Sequence, residues 1–218
     1  MKFREFAEFL QEIEKTNSRN DATVKLADFF SRIETQDVKP LMYLMQGRLV
    51  PKFIYLEFNF SDKLALKAIE GEFGVNAKEL YSKLGDLGLV VENLKIKTPN
   101  SPSIKEIYKD LMDLAQLSGK GSQDSKSKKF IEIIKKLDPI SGKFVSRIIV
   151  GNLRLGFSDK TFLDAFSWFI KGDKSIRKNI EKAFGSRADL GEIAELIIKN
   201  KDNPEIIFQL ETIAIKVG

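Results

Sequence analysis

The chain of 218 residues is 43% hydrophobic and 31% charged, with a net charge of +5, which predicts a folded protein of one large or two small domains. It contains no cysteine and no histidine, which excludes disulfides, Ser-His-Asp triads and most zinc sites within this chain. No segment approaches the roughly 20 uncharged apolar residues of a membrane span, and glutamates stand in the N-terminal segment where a signal peptide needs an unbroken apolar run. We therefore expect a cytoplasmic protein with no membrane contact.

The hydrophobic period is helical along nearly the whole chain. Apolar residues follow one helix face from Phe3 to Ile13, and Asn20-Asp21 is a candidate cap for a second helix. Asn76 is predicted as an N-cap, Gly85 as a helix stop and Asn203-Pro204 as a helix start signal. Further helices are predicted near 39–46, 62–70, 77–84, 86–94, 103–117, 123–137, 139–151, 159–171, 174–184, 188–199 and 204–210. Since no fixed repeat period is present, we expect a compact all-α fold of about a dozen short helices, readable as two pseudo-symmetric halves, and no solenoid.

Two segments depart from the helical pattern. Residues 49–60 are rich in aromatic and branched side chains, which suits a strand, but Pro51 makes an extended connector with its aromatics on the core an equally good interpretation. Residues 212–218 partly alternate and end at a glycine, which predicts the start of a strand. We therefore expect a helical domain over residues 1–211, followed by a linker or strand over 212–218.

The positive charge is concentrated in the middle of the chain. Residues 118–182 carry 15 lysines and arginines against 7 aspartates and glutamates, a net charge of +8, whereas the remainder has 21 against 24, a net charge of −3. This pattern predicts one cationic face directed at a polyanion, although lysines that only solubilise helix surfaces would give the same count.

A first candidate binding loop, Gly119-Lys120-Gly121-Ser122-Gln123, lies at the start of this basic segment. Its two glycines allow close backbone approach, and the helix that follows offers unpaired N–H groups, so the junction can hold a phosphate with Lys120 and Ser122 as further donors. It is not a Walker A loop, because the GxxxxGK[ST] spacing is missing. Taken alone, the same residues fit a flexible linker at least as well.

A second candidate loop, Gly151-Asn152-Leu153-Arg154-Leu155-Gly156, joins two predicted helices. We expect Leu153 and Leu155 to hold the turn on the core while Arg154 projects outward without structural partners. An arginine on a rigid turn is pre-organised for bidentate phosphate contact or for a narrow minor groove. The alternative is a structural arginine that caps the C-terminus of a helix.

Other polar and aromatic clusters have simpler explanations. The carboxylate pairs Asp86/Glu92 and Asp189/Glu192 lack a metal-like context and are interpreted as solvated or helix-capping. A crowded group of aromatics on one predicted helix has the spacing of a core face rather than of a base-stacking platform: Phe162, Phe166, Trp168 and Phe169.

Six ordered segments of the chain resemble the N-terminal DNA-binding domain of archaeal and eukaryotic-type ATP-dependent DNA ligases. They are Ile13–Arg19 (IExTxxR), Gln46–Phe53 (QGRLxPxF), Gly85–Val90 (GDLGLV), Gly119–Gln123 (GxGSQ), Phe144–Ala165 (RIILGKLRLGVGDATVLDAL) and Asp189–Ala194 (DLGxVA). One departure is Asn152, which stands where a lysine is common and removes a cation from that loop.

The resemblance implies a domain that grips nicked duplex DNA through the minor groove and phosphates, in support of ligation during replication, repair and recombination. The DNA-binding residues it implies are Gly119, Lys120, Gly121, Ser122, Gln123, Gly151, Asn152, Arg154, Gly156 and Lys160. The Lys-x-Asp-Gly motif that receives AMP in this family is absent. We therefore expect no catalytic residue and no metal, ATP or magnesium site in this chain, and no activity from it alone, because those functions belong to adenylation and OB-fold domains outside these residues.

Two other functions remain open. The chain could be an all-α interaction scaffold whose basic patch binds an acidic protein partner, or a free-standing DNA-binding accessory protein. A steep loss of affinity with salt favours DNA over a helix-in-groove protein contact. In each case we expect a monomer, and for the DNA-binding functions an association with the prokaryotic nucleoid.

Overall fold

The computed structural model describes residues 1–94, 96, 101–203 and 205–215. These residues form thirteen α-helices and a short 3-10 helix (Thr35–Asp37), without a β-strand among them, so the predicted all-α fold is confirmed. The α-helices are α1 (Phe3–Glu14), α2 (Arg19–Phe30), α3 (Val38–Met45), α4 (Asp62–Phe73), α5 (Ala77–Leu84), α6 (Leu87–Asn93), α7 (Ile104–Gln116), α8 (Ser122–Lys135), α9 (Pro139–Ile149), α10 (Asp159–Lys171), α11 (Arg177–Arg187), α12 (Leu190–Lys199) and α13 (Ile206–Ile215).

Side-chain caps fix where most of these helices begin, and left-handed glycines end three of them. Asn76 caps α5, whose C-terminus is closed by Gly85 in the left-handed conformation, so both predictions are confirmed. The cap of α2 is Ser18, whose hydroxyl accepts from the Asp21 backbone N–H, and the prediction of Asn20-Asp21 as the cap is wrong by two residues. Serine is as good a cap as asparagine, so composition alone could not choose between them.

The C-terminal strand prediction is wrong for residues 212–215, because α13 continues to Ile215. Ile206 and Leu210 are both buried, four residues apart, and this helical spacing outweighs the short alternation that follows them. Pro204 of the predicted start signal and residues 216–218 lie outside the described residues.

Residues 49–60 form an irregular connector and not a strand, with a turn in which the Ile54 N–H donates to the Pro51 carbonyl at 3.0 Å. Phe58 and Phe60 are buried, as expected for aromatics that pack on a core. Phe53 and Tyr55, in contrast, are 65% and 81% exposed, so the packing prediction is confirmed only for the second half of the connector.

The order of helices α1–α6 recurs in α7–α12. The capping residues correspond in pairs: Ser61 and Ser158 before α4 and α10, Gly74 and Gly172 after them, and Asp86 and Asp189 before α6 and α12. Corresponding helices differ in length, which explains why the sequence shows no fixed period.

The chain forms two compact units, each assembled from both halves of this repeat. Unit 1 comprises Met1–Gln11, Gly47–Leu49 and Leu56–Arg154, and in it α4 packs on α8 and α6 on α9. Unit 2 comprises Glu12–Gln46, Val50–Tyr55 and Leu155–Gly218, and in it α10 packs on α2 and α12 on α3. Each unit therefore repeats the same pair of helix contacts with different residues.

Each unit has its own aromatic core. In unit 1, Phe60 lies against Phe130, with ring centroids 5.3 Å apart. In unit 2, Phe30 stacks on Phe166 at 4.8 Å, and Phe162 is also buried, which confirms the core interpretation of these two α10 aromatics. The other two, Trp168 and Phe169, are half-buried.

Candidate functional site

The second candidate loop begins where a glycine ends α9. The Gly151 N–H donates to the Ile148 carbonyl and the Asn152 N–H to the Arg147 carbonyl, the two bonds of a Schellman motif. Gly151 has φ +70°, which this motif requires and which an L side chain rarely adopts. The chain therefore leaves the helix in a fixed direction, and Gly151 and Asn152 are both exposed.

Arg154 has structural partners, so the prediction that it projects freely is wrong. Its Nη2 donates to the Gly85 carbonyl oxygen at 2.8 Å, and its Nε lies 3.2 Å from Oδ2 of Asp86. Its side chain is nevertheless 44% exposed. The physical reason for the error is that both partners belong to the α5–α6 junction, which no local pattern connects to this loop.

The backbone of Arg154 is held in a conformation that arginine disfavours. Its φ is +57°, in the left-handed region, where a Cβ costs roughly 1–2 kcal/mol. Leu153 and Leu155 on either side are half-buried. A strained residue whose side chain is both anchored and exposed is typical of a functional position.

Asp86 is the buried centre of this arrangement. Its carboxylate accepts from Nε of Arg147 at 3.1 Å and from the Leu89 backbone N–H at 2.9 Å, so it caps α6 and pairs with α9. Burial raises the pKa of Asp86, but the hydrogen bonds from Arg147 and Leu89 and the charges of Arg147 and Arg154 outweigh it and hold the pKa below its ordinary value. Of the two interpretations for this carboxylate, helix capping is confirmed and solvation is wrong.

The first candidate loop forms an open depression at the N-terminus of α8. Gly119, Gly121, Ser122, Gln123 and Asp124 line a volume of about 350 Å³. Both glycines have positive φ, +85° and +79°, and Gly121 occupies the N-cap position without offering a side-chain acceptor. No side chain caps the first turn of α8, in which the Ser122 N–H donates to the Gly119 carbonyl at 3.2 Å. Lys120 is exposed beside the depression, and the Asp124 carboxylate reduces its positive potential.

The predicted site residues do not all lie in one unit. Gly119–Gln123 and Gly151–Arg154 belong to unit 1, whereas Gly156 and Lys160 belong to unit 2. Gly156 has φ +65° and is exposed, and Lys160 is exposed in the first turn of α10.

Several cations of the basic segment are not available to the predicted cationic face, because they are buried or paired with carboxylates. Lys126, Lys143 and Arg147 are buried, and Lys126 donates to the Phe58 carbonyl. Lys129 and Lys136 pair with Asp110 at 2.7 Å, and Lys174 and Arg177 pair with Asp164 at 3.1 and 2.8 Å. Some cations of the segment thus neutralise carboxylates of the same protein, which a count of charges in the sequence cannot reveal.

The structure adds a residue that the sequence reasoning missed. Gly47 follows α3 as Gly151 follows α9, with φ +68° against +70°, so Arg48 stands at the position equivalent to Asn152. The Nε of Arg48 is buried and has no hydrogen-bond partner among the described residues. The signal in the sequence is the shared Gly-x-Leu after each helix, which becomes visible only when the two helix ends are aligned.

Other kinds of site find no support in the described ranges. No group of three or more carboxylates there is arranged to hold a metal ion. None of the helices in the same ranges is long and apolar enough to cross a membrane.

Comparisons with known proteins match this chain to the N-terminal part of DNA ligases. Residues 2–167 match the family model described as DNA ligase N terminus. The chain is 36% identical over 203 residues to DNA ligase 1 of Methanosarcina mazei, covering 92% of this chain and 35% of that protein. It is 34% identical to the probable DNA ligase of Dictyoglomus turgidum (100% of this chain, 37% of that one) and 37% identical to the DNA ligase of Sulfurisphaera tokodaii (90% and 36%). The chain thus spans about a third of the length of these relatives.

Proposed function

Because this chain belongs to the DNA ligase N-terminus family, we propose that it binds double-stranded, nicked DNA and so supports strand joining by an ATP-dependent ligase. The contacts are to backbone phosphates and the minor groove and do not depend on base sequence. In this proposal the adenylation and OB-fold domains of the ligase supply the ATP and magnesium chemistry, and the protein acts as a monomer at the nucleoid in replication, repair and recombination.

The observation that carries the proposal is that Arg154 is exposed, anchored and held in a strained backbone conformation. Its side chain is half-exposed, and its guanidinium is held by Gly85 and Asp86 on a backbone with φ +57°. Such a group loses little freedom on binding, and a planar guanidinium matches a phosphate in a bidentate contact. A structural ion pair alone would not require an exposed arginine in a strained conformation.

Two further elements provide donors for phosphates in the same proposal. The depression lies at the N-terminus of α8, whose first turn has no side-chain cap, and Lys120 is exposed beside it. Arg48 offers a half-buried guanidinium whose Nε has no hydrogen-bond partner among the described residues. Gly151, Asn152, Gly156 and Lys160 complete the proposed contact set, the glycines by allowing the backbone to approach the duplex.

Fluorescence anisotropy with labelled DNA tests this function. The chain should bind a nicked duplex and unrelated duplexes within about tenfold of one another, a difference of roughly 1.4 kcal/mol, and should bind a single strand more weakly. The affinity should also fall steeply with salt. A strong preference for one base sequence, or equal binding of single strands, contradicts the proposed contacts.

The salt series also separates this function from an interaction scaffold for an acidic protein. Neutralising several phosphates releases counterions, so log Kd depends linearly on log salt with a slope close to the number of phosphates contacted. If duplex affinity is weak and nearly independent of salt, the scaffold function is the better explanation.

A further inference from the structure

The junction between α5 and α6 places two arginines on one buried carboxylate. The Asp86 side chain is 2% exposed, Arg147 is buried beside it, and Arg154 reaches it from the loop after α9. A single arginine already neutralises Asp86, and the Leu89 N–H completes the helix cap. The contact with Arg154 is therefore not needed to satisfy the carboxylate.

We propose that Asp86 is a positioning residue for DNA binding, which holds the guanidinium of Arg154 in the orientation that meets a backbone phosphate. The inference rests on the proposed function and assigns to Asp86 a role that helix capping does not include. Of the five N–H donors of Arg154, one hydrogen-bonds to the Gly85 carbonyl and the Nε end faces Asp86. No partner of the Nη1 end is described, and in this proposal that end contacts the phosphate.

The equivalent position in unit 2 shows what capping alone requires. Asp189 also begins an Asp-Leu-Gly segment, caps α12 through the N–H groups of Gly191 and Glu192, and is 5% exposed. Its carboxylate accepts from the neutral hydroxyl of Tyr43, at 3.1 and 3.0 Å, where Asp86 meets Arg147. No exposed cation is described against Asp189. A buried cap in this fold thus does not need an exposed arginine.

An electrostatic role and a positioning role of Asp86 predict opposite changes in DNA affinity when its charge is removed. Replacing Asp86 by asparagine removes one negative charge beside the proposed DNA contact. If the contact were only electrostatic, the extra positive potential would tighten binding to a polyanion. If Asp86 positions Arg154, the same change weakens binding, because the guanidinium loses its anchor.

The experiment compares Asp86→Asn with Asp189→Asn, which makes the same change of charge and shape at the equivalent cap. Asparagine keeps the N-cap acceptor in both, and circular dichroism verifies that both are folded. With a nicked duplex in anisotropy titrations, Asp86→Asn should weaken binding about tenfold and lower the salt slope by about one, as for the loss of one charge-assisted contact. Asp189→Asn should bind as the unchanged protein does, or slightly more tightly.

Two more variants keep the test decisive if Asp86→Asn folds poorly. Arg154→Lys preserves the charge but cannot occupy both the Asp86 and the Gly85 contacts, so positioning predicts that it binds like Arg154→Ala. In the Arg154→Ala background, Asp86→Asn should cause no further loss of affinity.

Three results would overturn the inference. The first is unchanged or tighter binding by Asp86→Asn, and the second is wild-type binding by Arg154→Lys. The third is that Asp86→Asn lowers the DNA affinity of Arg154→Ala as much as it lowers that of the unchanged protein. Failure of the proposed function has a different signature, because the unchanged protein would then bind no duplex at all.

Discussion

The hydroxyl of Tyr43 lies 3.0 and 3.1 Å from the two carboxylate oxygens of Asp189, and its ring lies close to Gly191 in the first turn of α12. This approach is possible because Gly191 has no side chain: a Cβ there would lie 2.8 Å from the ring. Gly88 in the equivalent Asp-Leu-Gly segment of unit 1 is as restricted, since its Cβ would lie 2.6 Å from the Lys143 carbonyl. Both units therefore depend on a glycine for the close packing of two helices.

The first prediction concerns these glycines. Gly88→Ala and Gly191→Ala should each destabilise the fold by about 1–3 kcal/mol, because the new methyl group must displace packed atoms. Gly71→Ala is the matched control in α4, where a Cβ meets nothing within 4 Å, and it should stabilise by roughly 0.5–1 kcal/mol. Urea unfolding measures all three, and a loss of stability in Gly71→Ala equal to the other two would contradict this account of the packing.

A second prediction concerns the backbone at Arg154. Arg154→Ala removes the contacts with Gly85 and Asp86 but keeps the left-handed strain, so it should lower the free energy of unfolding by about 1 kcal/mol. Arg154→Gly loses the same contacts but relieves the strain, and it should be more stable than Arg154→Ala by roughly 0.5–1 kcal/mol. Thermal or urea unfolding compares the pair. Equal stability of the two variants would mean that φ +57° carries no cost here.

The third prediction follows from the lowered pKa of Asp86. A carboxyl group with a lower pKa in the folded state contributes stability above its unfolded pKa of about 3.9, and this contribution is lost as pH falls through the folded pKa. The stability difference between the unchanged protein and Asp86→Asn should therefore be constant above about pH 5 and shrink below about pH 4. Urea unfolding at a series of pH values measures it. A difference that stays constant down to pH 2 would show that the ionised carboxylate is not what Arg147 stabilises.

The features that the sequence predicted correctly are local ones. The Asn76 cap and the Gly85 stop depend on residues within one helix turn, and the helical spacing of apolar residues predicted most of the helices. The same locality explains the error at α13, because the short alternation at the chain end favours a strand, whereas the buried Ile206 and Leu210 have helical spacing.

The contacts of the candidate site could not be predicted in this way. Arg154 and Gly85 are 69 positions apart in sequence, and they meet only because α6 packs on α9. The repeated Asp-Leu-Gly at Asp86 and Asp189 was present in the sequence, but identical letters do not reveal that one carboxylate meets arginines and the other a tyrosine.

A fourth prediction concerns nucleotide chemistry. Because the chain has no Lys-x-Asp-Gly motif, incubation with labelled ATP and magnesium should leave it without covalent, acid-stable AMP. The DNA ligase 1 of Methanosarcina mazei is a suitable positive control in the same assay. Labelling of any lysine in this chain would contradict the assignment of adenylation to residues outside it.

The central claim is that a fixed, half-exposed Arg154 contacts duplex phosphate, and the most direct test is the salt dependence of nicked-duplex binding by Arg154→Ala. The matched control is Arg4→Ala, which removes another exposed arginine from an ion pair, here with Glu8. Arg154→Ala should weaken binding by about 1–3 kcal/mol and lower the slope of log Kd against log salt by about one, while Arg4→Ala changes neither. If folded Arg154→Ala binds the nicked duplex with unchanged affinity and unchanged slope, Arg154 is a structural residue and the proposed contact is wrong.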